Sequence, residues 1–207
     1  MKKTILILSA LILTGTGFYG CKKGANDPTI SLHSRKGRLV NDWTLSAGTE
    51  TNISGTTTDL ITWSGTSVTE TYTSGGTSST SIGTGSYTMS ILKDGTWKSD
   101  QSITWTGTPT FISKITSTGT WNWTGKVGEL KNKSQVVFKT LTETDLFGSS
   151  TDTYSYTGDS GPTAIWNIDE LKSKELIVIW EGTKLTTSGG TSTSSSNKGE
   201  YTWISGK

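Results

Sequence analysis

Two runs of alternating large and small side chains, Tyr87-Thr88-Met89-Ser90-Ile91 and Trp97–Thr106, are parted by Lys93-Asp94-Gly95-Thr96. Asp-Gly between period-two runs is the strongest short hairpin signal, because a type I′ turn needs positive φ at both central residues. The pattern commits this stretch to antiparallel strands, with Ile103 and Trp105 on one face of the second. Nothing elsewhere in the chain offers a helical period of comparable clarity.

The rest of the chain repeats the theme. Leu39–Ala47 reads as the first strand, with Leu39, Trp43, Leu45 and Ala47 on one face. Leu60–Trp63 and Val68–Thr73 form a pair joined through Ser64-Gly65-Thr66, and Ile115, Trp121 and Trp123 share the face of a later strand or strand pair. A charged turn at Lys126–Lys133 precedes a long strand over Ser134–Phe147, with Val136 and Phe138 on one side and Val137 and Leu141 on the other. Asp152–Thr157 alternates two tyrosines with polar residues. Leu176–Trp180 is a continuous apolar run suited to a strand covered on both faces, and Glu200–Ser205 closes the chain with Tyr201 and Trp203 together. Asp169–Lys174 reads as one helical turn capped by Asp169. Ser74–Gly85 and Ser188–Lys198 are so poor in apolar residues that they read as two mobile loops. About ten strands with short connections imply an all-β antiparallel meander that closes as a barrel or sandwich, since closure removes exposed edges.

Composition supports this reading. Only 3 of 207 residues are Pro, and Thr, Ser and 25 Gly suit extended chain and turns rather than helix. Hydrophobic residues are a lean 30%, so the nine Trp must supply much of the core. The sole cysteine excludes any disulfide within one chain.

The amino terminus carries a different message. Lys2 and Lys3 precede an apolar run, Ile5–Leu13, which gives way to small and turn-prone residues before Cys21. This is the layout of a cleaved secretory signal, and the run is too short for a spanning helix of about 20 residues. Removing Lys2 and Lys3 leaves 17 basic and 17 acidic side chains from the 19 and 17 of the whole chain. That neutral balance argues against nucleic acid as a partner.

Phe18-Tyr19-Gly20-Cys21 followed by Lys22-Lys23 resembles the lipobox of bacterial lipoproteins, with Phe18 and Tyr19 where that family has Leu and a small residue. The resemblance implies that residues 1–20 are removed and that Cys21 becomes the acylated (diacylglycerol- and palmitate-type) anchor to a membrane. Two or more chains hold stably where one is marginal. Residues 21–38 then form a flexible tether, in which Arg35, Lys36 and Arg38 read as a solvated turn, and residues 39–207 form the barrel domain. In some of these lipoproteins an acidic run after the cysteine marks export to the surface. Lys22–Asp27 lacks one, which implies the periplasmic side of the outer membrane.

Leu39-Val40-Asn41-Asp42-Trp43-Thr44-Leu45 is similar to the opening strand of lipocalin-like bacterial lipoproteins, with Asn41 in place of their usual Gly. Lys93-Asp94-Gly95-Thr96-Trp97, Gly119-Thr120-Trp121 and Trp166–Ile179 also resemble segments of that family. The resemblance implies an up-and-down, lipocalin-like β-barrel and says little about ligand.

No catalytic constellation can be assembled. Gly158-Asp159-Ser160-Gly161-Pro162 resembles a serine-protease nucleophile loop, but the only histidine, His33, precedes the first strand without the context that chemistry needs. One Cys and one His rule out thiolate or multi-histidine metal sites, and no calcium-loop spacing is present. Asp169-Glu170 is the closest carboxylate pair, and adjacent strand residues point to opposite faces. No cofactor and no enzyme activity are therefore expected.

The tryptophans are read mainly as core, while Trp63 and Trp97, beside polar turns, are the candidates for ligand contact. The reading that follows is a non-catalytic envelope module binding a small apolar or amphipathic ligand in the barrel mouth. Two alternatives stand beside it: an interaction protein with a filled barrel, and a surface glycan binder displaying coplanar exposed aromatics.

Overall fold

The computed structural model describes residues 33–107, 109–125, 134–158, 160–188 and 191–206. The segment read as a signal, Cys21, most of the segment read as a tether, and the stretch Lys126–Lys133 read as a turn lie outside these residues. Among the described residues a short helix, α1 (Arg35–Leu39), precedes eleven antiparallel strands. These are β1 (Asp42–Ser54), β2 (Thr57–Ser64), β3 (Ser67–Ser74), β4 (Thr77–Ile91), β5 (Thr96–Trp105) and β6 (Phe111–Trp123). They continue as β7 (Gln135–Phe147), β8 (Ser150–Ser155), β9 (Thr163–Leu171), β10 (Glu175–Ser188) and β11 (Thr191–Ile204). Every strand but β8 belongs to a closed ring of 10 strands, and β8 hangs from the edge of β7. The all-β barrel expected from the alternation is thus what the chain forms.

The ring is not uniform. The β2–β3 hairpin enters from one end and turns back at Gly65-Thr66, partway down the wall. Its tip is sealed by the Gly65 N–H donating to the Ser46 carbonyl (2.8 Å) and the Gly85 N–H donating to the Thr66 carbonyl (2.8 Å). Below the tip, Asp42–Thr44 of β1 pair directly with Thr88–Ser90 of β4. Removing β2 and β3 from the ring of 10 leaves eight strands at the narrow end.

Eight strands enclose just enough room for side chains to fill, and here they do. Trp43, Ile91, Trp97, Trp121, Val136, Phe138, Ile168, Leu171, Leu176 and Trp203 are buried there in one core. Inward glycines make room for these and higher rings. A Cβ at Gly48 would collide with the Tyr201 ring, and one at Gly199 with the Trp180 ring, so each glycine is a seat for an aromatic across the ladder.

Helix α1 stops the narrow end. Ser34 caps it, its hydroxyl accepting from the Gly37 N–H at 3.0 Å, and Leu39 is fully buried, its carbonyl accepting from the Trp43 indole N–H at 2.9 Å. The basic patch is therefore not a solvated turn: Arg35 and Arg38 are buried. Arg35 lies over the Trp123 ring at 5.9 Å, and Lys36 over Trp121 at 5.6 Å.

Several local expectations are overturned. Leu39 is helical, and Ala47 faces outward because a bulge at Ser46 between Leu45 and Ala47 reverses the alternation, bringing Gly48 and Glu50 inside. Asp169–Lys174 forms no helical turn: residues through Leu171 extend β9, and Lys172 caps the β9–β10 turn by pairing with Glu170 and with Glu175 at 2.9 Å. The Asp-Gly connection holds three residues, Lys93–Gly95, with φ +92° at Gly95, rather than a two-residue turn. Leu176–Trp180 is covered on one face only, since Ile179 is exposed.

The two supposed loops are strands. Thr77–Gly85 belongs to β4, and Thr191–Lys198 to β11. Hydroxyl pairs across the ladder, such as Thr73–Ser78 (2.8 Å) and Thr71–Thr80 (3.5 Å), stand in for apolar contacts on β3 and β4.

Candidate functional site

Above the tip of the β2–β3 hairpin the wall widens and its inward residues change character. Cross-strand partners share a face, so the register carries the inward phase from the buried Trp63 and Val68 up to Ile61, Asp59 and Glu70. On β1 the same phase holds Glu50 and Asn52, and on β7 it holds Glu143 and Asp145. The upper interior is thus a chamber with an acidic belt. Lys98, Lys114, Lys139 and Lys198 all occupy the outward phase of their strands.

The chamber floor is aromatic. Trp63 lies 6.4 Å from Tyr87, Tyr87 6.0 Å from Tyr201, and Tyr201 4.2 Å from Trp180, centroid to centroid. Below them Trp203 and Trp166 stack at 5.9 Å and lead into the filled narrow half. Cavities of about 480 Å³ and about 340 Å³ open above this floor. Asn52, Thr57, Asp59, Gly182 and Asn197 border the larger, and Trp166, Trp180 and Gly182 the smaller. The smaller one follows from the topology: β9 and β10 pair only from Asn167 to Leu171 and Leu176 to Ile179, and they part above that point.

Hydrogen bonds fix part of the belt. The Tyr201 hydroxyl donates to Glu50 Oε2 at 2.7 Å, the Asn52 amide to Glu50 Oε1 at 3.2 Å, and the Ser117 hydroxyl to Glu143 Oε2 at 3.1 Å. Other groups are left over. Asp59 Oδ1, Asp145 Oδ1 and the indole nitrogen of Trp63 are buried without a hydrogen-bond partner.

The electrostatics are those of crowded like charges. Burial first, and the Glu50 charge second, hold the Asp59 carboxyl above its ordinary range; burial and then Asp59 do the same to Glu70. Burial and the Glu50 charge push the Tyr87 phenol up to about 12, and Tyr201 is driven up by the same two causes.

The residues singled out from sequence fall in different places. Trp63 is buried (2% exposed) in the chamber floor. Trp97 is buried in the narrow half, against Phe138 at 5.6 Å, with its indole N–H donating to the Lys139 carbonyl at 3.3 Å. Cys21 lies outside the described residues. Ser160 sits in the β8–β9 connection, where its hydroxyl donates to the Thr157 carbonyl at 2.8 Å. Among the described residues no group of three His, Cys, Asp or Glu side chains is disposed to hold a metal ion.

Sequence reasoning missed the acidic belt, although a signal was present. Asp59, Ile61 and Trp63 lie two positions apart, as do Val68 and Glu70, so the acids lie in phase with the core. Comparison with protein-family models, curated proteins and solved structures finds no match for this chain.

Proposed function

We propose that this protein is a membrane-anchored envelope lipoprotein, held by acylated Cys21 on the periplasmic side of the outer membrane, whose barrel is a non-catalytic binding module. Its ligand is a small apolar or amphipathic molecule. The observation that supports binding over a purely structural role is the division of the barrel: the narrow half is packed with Trp side chains, and the wide half holds a chamber with cavities of about 480 and 340 Å³. A ligand site needs such a concavity with a few polar groups set among aromatic ones. The anchor reading stands on the lipobox-like Phe18–Cys21 alone.

Two measurements test the proposal. Intact mass of the mature chain is expected to show residues 21–207 plus acyl groups; a chain starting elsewhere, or an unmodified thiol, refutes the anchor. Tryptophan fluorescence during a screen of lipids and small amphiphiles is expected to shift, because Trp166 and Trp180 border the smaller cavity. Silence across the screen refutes the binding module.

One observation favours glycan binding as a second reading. Tyr154 of β8 and Tyr156 just beyond it stack at 6.5 Å with only 13° between their planes, and Tyr154 is exposed. Loss of oligosaccharide retention in Tyr154→Ala would support it.

A further inference from the structure

The barrel wall is a complete ladder at the narrow end and a parted one above it. On the side of β7 away from β6, β9 pairs with Gln135–Lys139 and β8 with Thr142–Phe147, so these two strands lie one above the other. Only the lower one reaches across, since β10 pairs with β9 from Leu176 to Ile179. Above that point, among the described residues, no strand pairs with β10 on the side away from β11, or with β8 on the side away from β7. Thr163–Trp166 of β9 likewise pair with β7 and not with β10. Free edges therefore flank one cleft, Trp180–Ser188 on one side and Thr163–Trp166 with Ser150–Ser155 on the other.

A free edge is often blunted by proline, a bulge or brevity. Trp180–Ser188 holds no Pro, and the pairing of β10 with β11 runs from Glu175↔Ile204 to Ser188↔Thr191 without a shift in register. Alternate N–H and C=O groups of this edge point into the cleft. Such a row of donors and acceptors is matched along its length by the backbone of another extended chain.

The fork of the cleft provides a second, independent indication. The cavity of about 340 Å³ lies there, between Thr163–Trp166 of β9 and Trp180–Gly182 of β10. The Trp166 and Trp180 rings stand 6.3 Å apart, centroid to centroid, with 31° between their planes. Ala164 lies opposite the buried Phe138 and so takes the inward phase, and Gly182 is two positions from Trp180. Two of the smallest residues thus line the cavity beside two of the largest, which leaves room for a side chain from outside.

We infer that the cleft binds a partner polypeptide by strand addition. An extended segment pairs with the free edge of β10 and sets one large apolar side chain against Trp166 and Trp180. The main-chain bonds supply affinity and the pocket at the fork supplies selectivity. The inference goes beyond the small-ligand reading, and neither the larger cavity nor the anchor at Cys21 enters it.

The test uses short peptides, acetyl-Lys-Thr-Val-Thr-X-Thr-Val-Thr-Lys-amide, with Phe, Leu or Ala at X. A further Phe peptide with its internal amides N-methylated keeps the side chains and loses the donors. The full chain is held in nanodiscs of a neutral galactolipid, with empty nanodiscs as the blank. Titration calorimetry reads binding, and amide hydrogen exchange reads its place. The Phe and Leu peptides are expected to bind at least about tenfold more tightly than the Ala and N-methylated peptides, and to slow exchange in Trp180–Ser188. Ala164→Phe, which fills the pocket from an exposed position of β9, is expected to weaken the Phe peptide about tenfold. Binding of no peptide to the folded chain overturns the inference, as does equal binding of the N-methylated peptide. Exchange in Trp180–Ser188 that bound peptide leaves unchanged overturns the placement on β10. Equal binding of the Ala peptide, or no loss in Ala164→Phe, overturns the role of the pocket. Exchange there that slows as protein concentration rises, with no peptide present, shows a second copy on the edge and overturns the peptide partner.

Discussion

Tyr201→Phe isolates one hydroxyl at the boundary between packed core and chamber. The ring is held by Trp180 at 4.2 Å, Trp203 at 5.8 Å and the bare backbone of Gly48, so phenylalanine keeps the packing and deletes only the oxygen. That oxygen donates to Glu50 Oε2 at 2.7 Å, leaving the carboxylate, among the described residues, with the Asn52 amide as its one remaining side-chain donor. A hydrogen bond to a charged acceptor contributes about 1.5–3 kcal/mol. Glu50 is only half-buried, and water from the chamber can replace the lost donor, which places the cost near the lower bound, about 1.5 kcal/mol. For a domain of this size that corresponds to a fall in Tm of about 3–6 °C. Thermal unfolding followed by near-UV circular dichroism measures it, and a double-mutant cycle with Glu50→Ala assigns it. In the Glu50→Ala background the same Tyr201→Phe change is expected to cost close to nothing. An unchanged Tm in the single variant, or an equal cost with and without Glu50, refutes the reasoning.

Three further outcomes are expected. Leu39→Ala empties a fully buried position where α1 stops the narrow end, and urea unfolding should show a loss of about 2–5 kcal/mol; a loss under about 1 kcal/mol would show that the helix does not seal the core. Gly119→Ala forces a Cβ against the Lys139 carbonyl and the Trp97 indole nitrogen, which are bonded to each other, so overpacking of about 1–3 kcal/mol is expected by the same assay, and a neutral result would contradict the close approach. Asp59 binds its proton more tightly folded than unfolded, so its contribution to stability is present below the ordinary value of 3.8 and is lost as pH rises through its elevated folded value. Asp59→Asn should therefore gain stability over the native chain as pH is raised from acid to neutral in a Tm series, and a gap that does not widen would refute the burial of Asp59 and its crowding by Glu50.

The strands legible in the sequence were those in which one face is apolar. Tyr87–Ile91, Trp97–Trp105, Val136–Phe138 and Tyr201–Trp203 declare their inward phase, and each lies in or beside the packed half. The upper halves of β4 and β11 were illegible for the opposite reason. Their inward positions, such as Ser79, Ser81 and Asn197, face a chamber rather than a core, so no apolar period marks them and only their neighbours hold them extended. The bulge at Ser46 was equally hidden, because a reversal of phase in Ser-Ala-Gly carries no hydrophobic signature. That reversal is what turns Glu50 inward, and for this reason the belt could not be assembled along β1 from sequence alone. Glycines at 48, 119 and 199 are seats for rings that come from other strands, a role that composition alone does not reveal.

The hairpin that stops partway down the wall sets girth independently of depth. Adjacent strands lie about 4.8 Å apart, so inserting two of them adds roughly 10 Å to the perimeter above the tip and nothing below it. A few residues added to or trimmed from the Ser64–Ser67 tip would slide that step along the axis, enlarging or shrinking the hollow without disturbing a single tryptophan underneath. Such a body behaves like a stoppered funnel, in which the stem secures the fold and the cone can be retuned to a new guest.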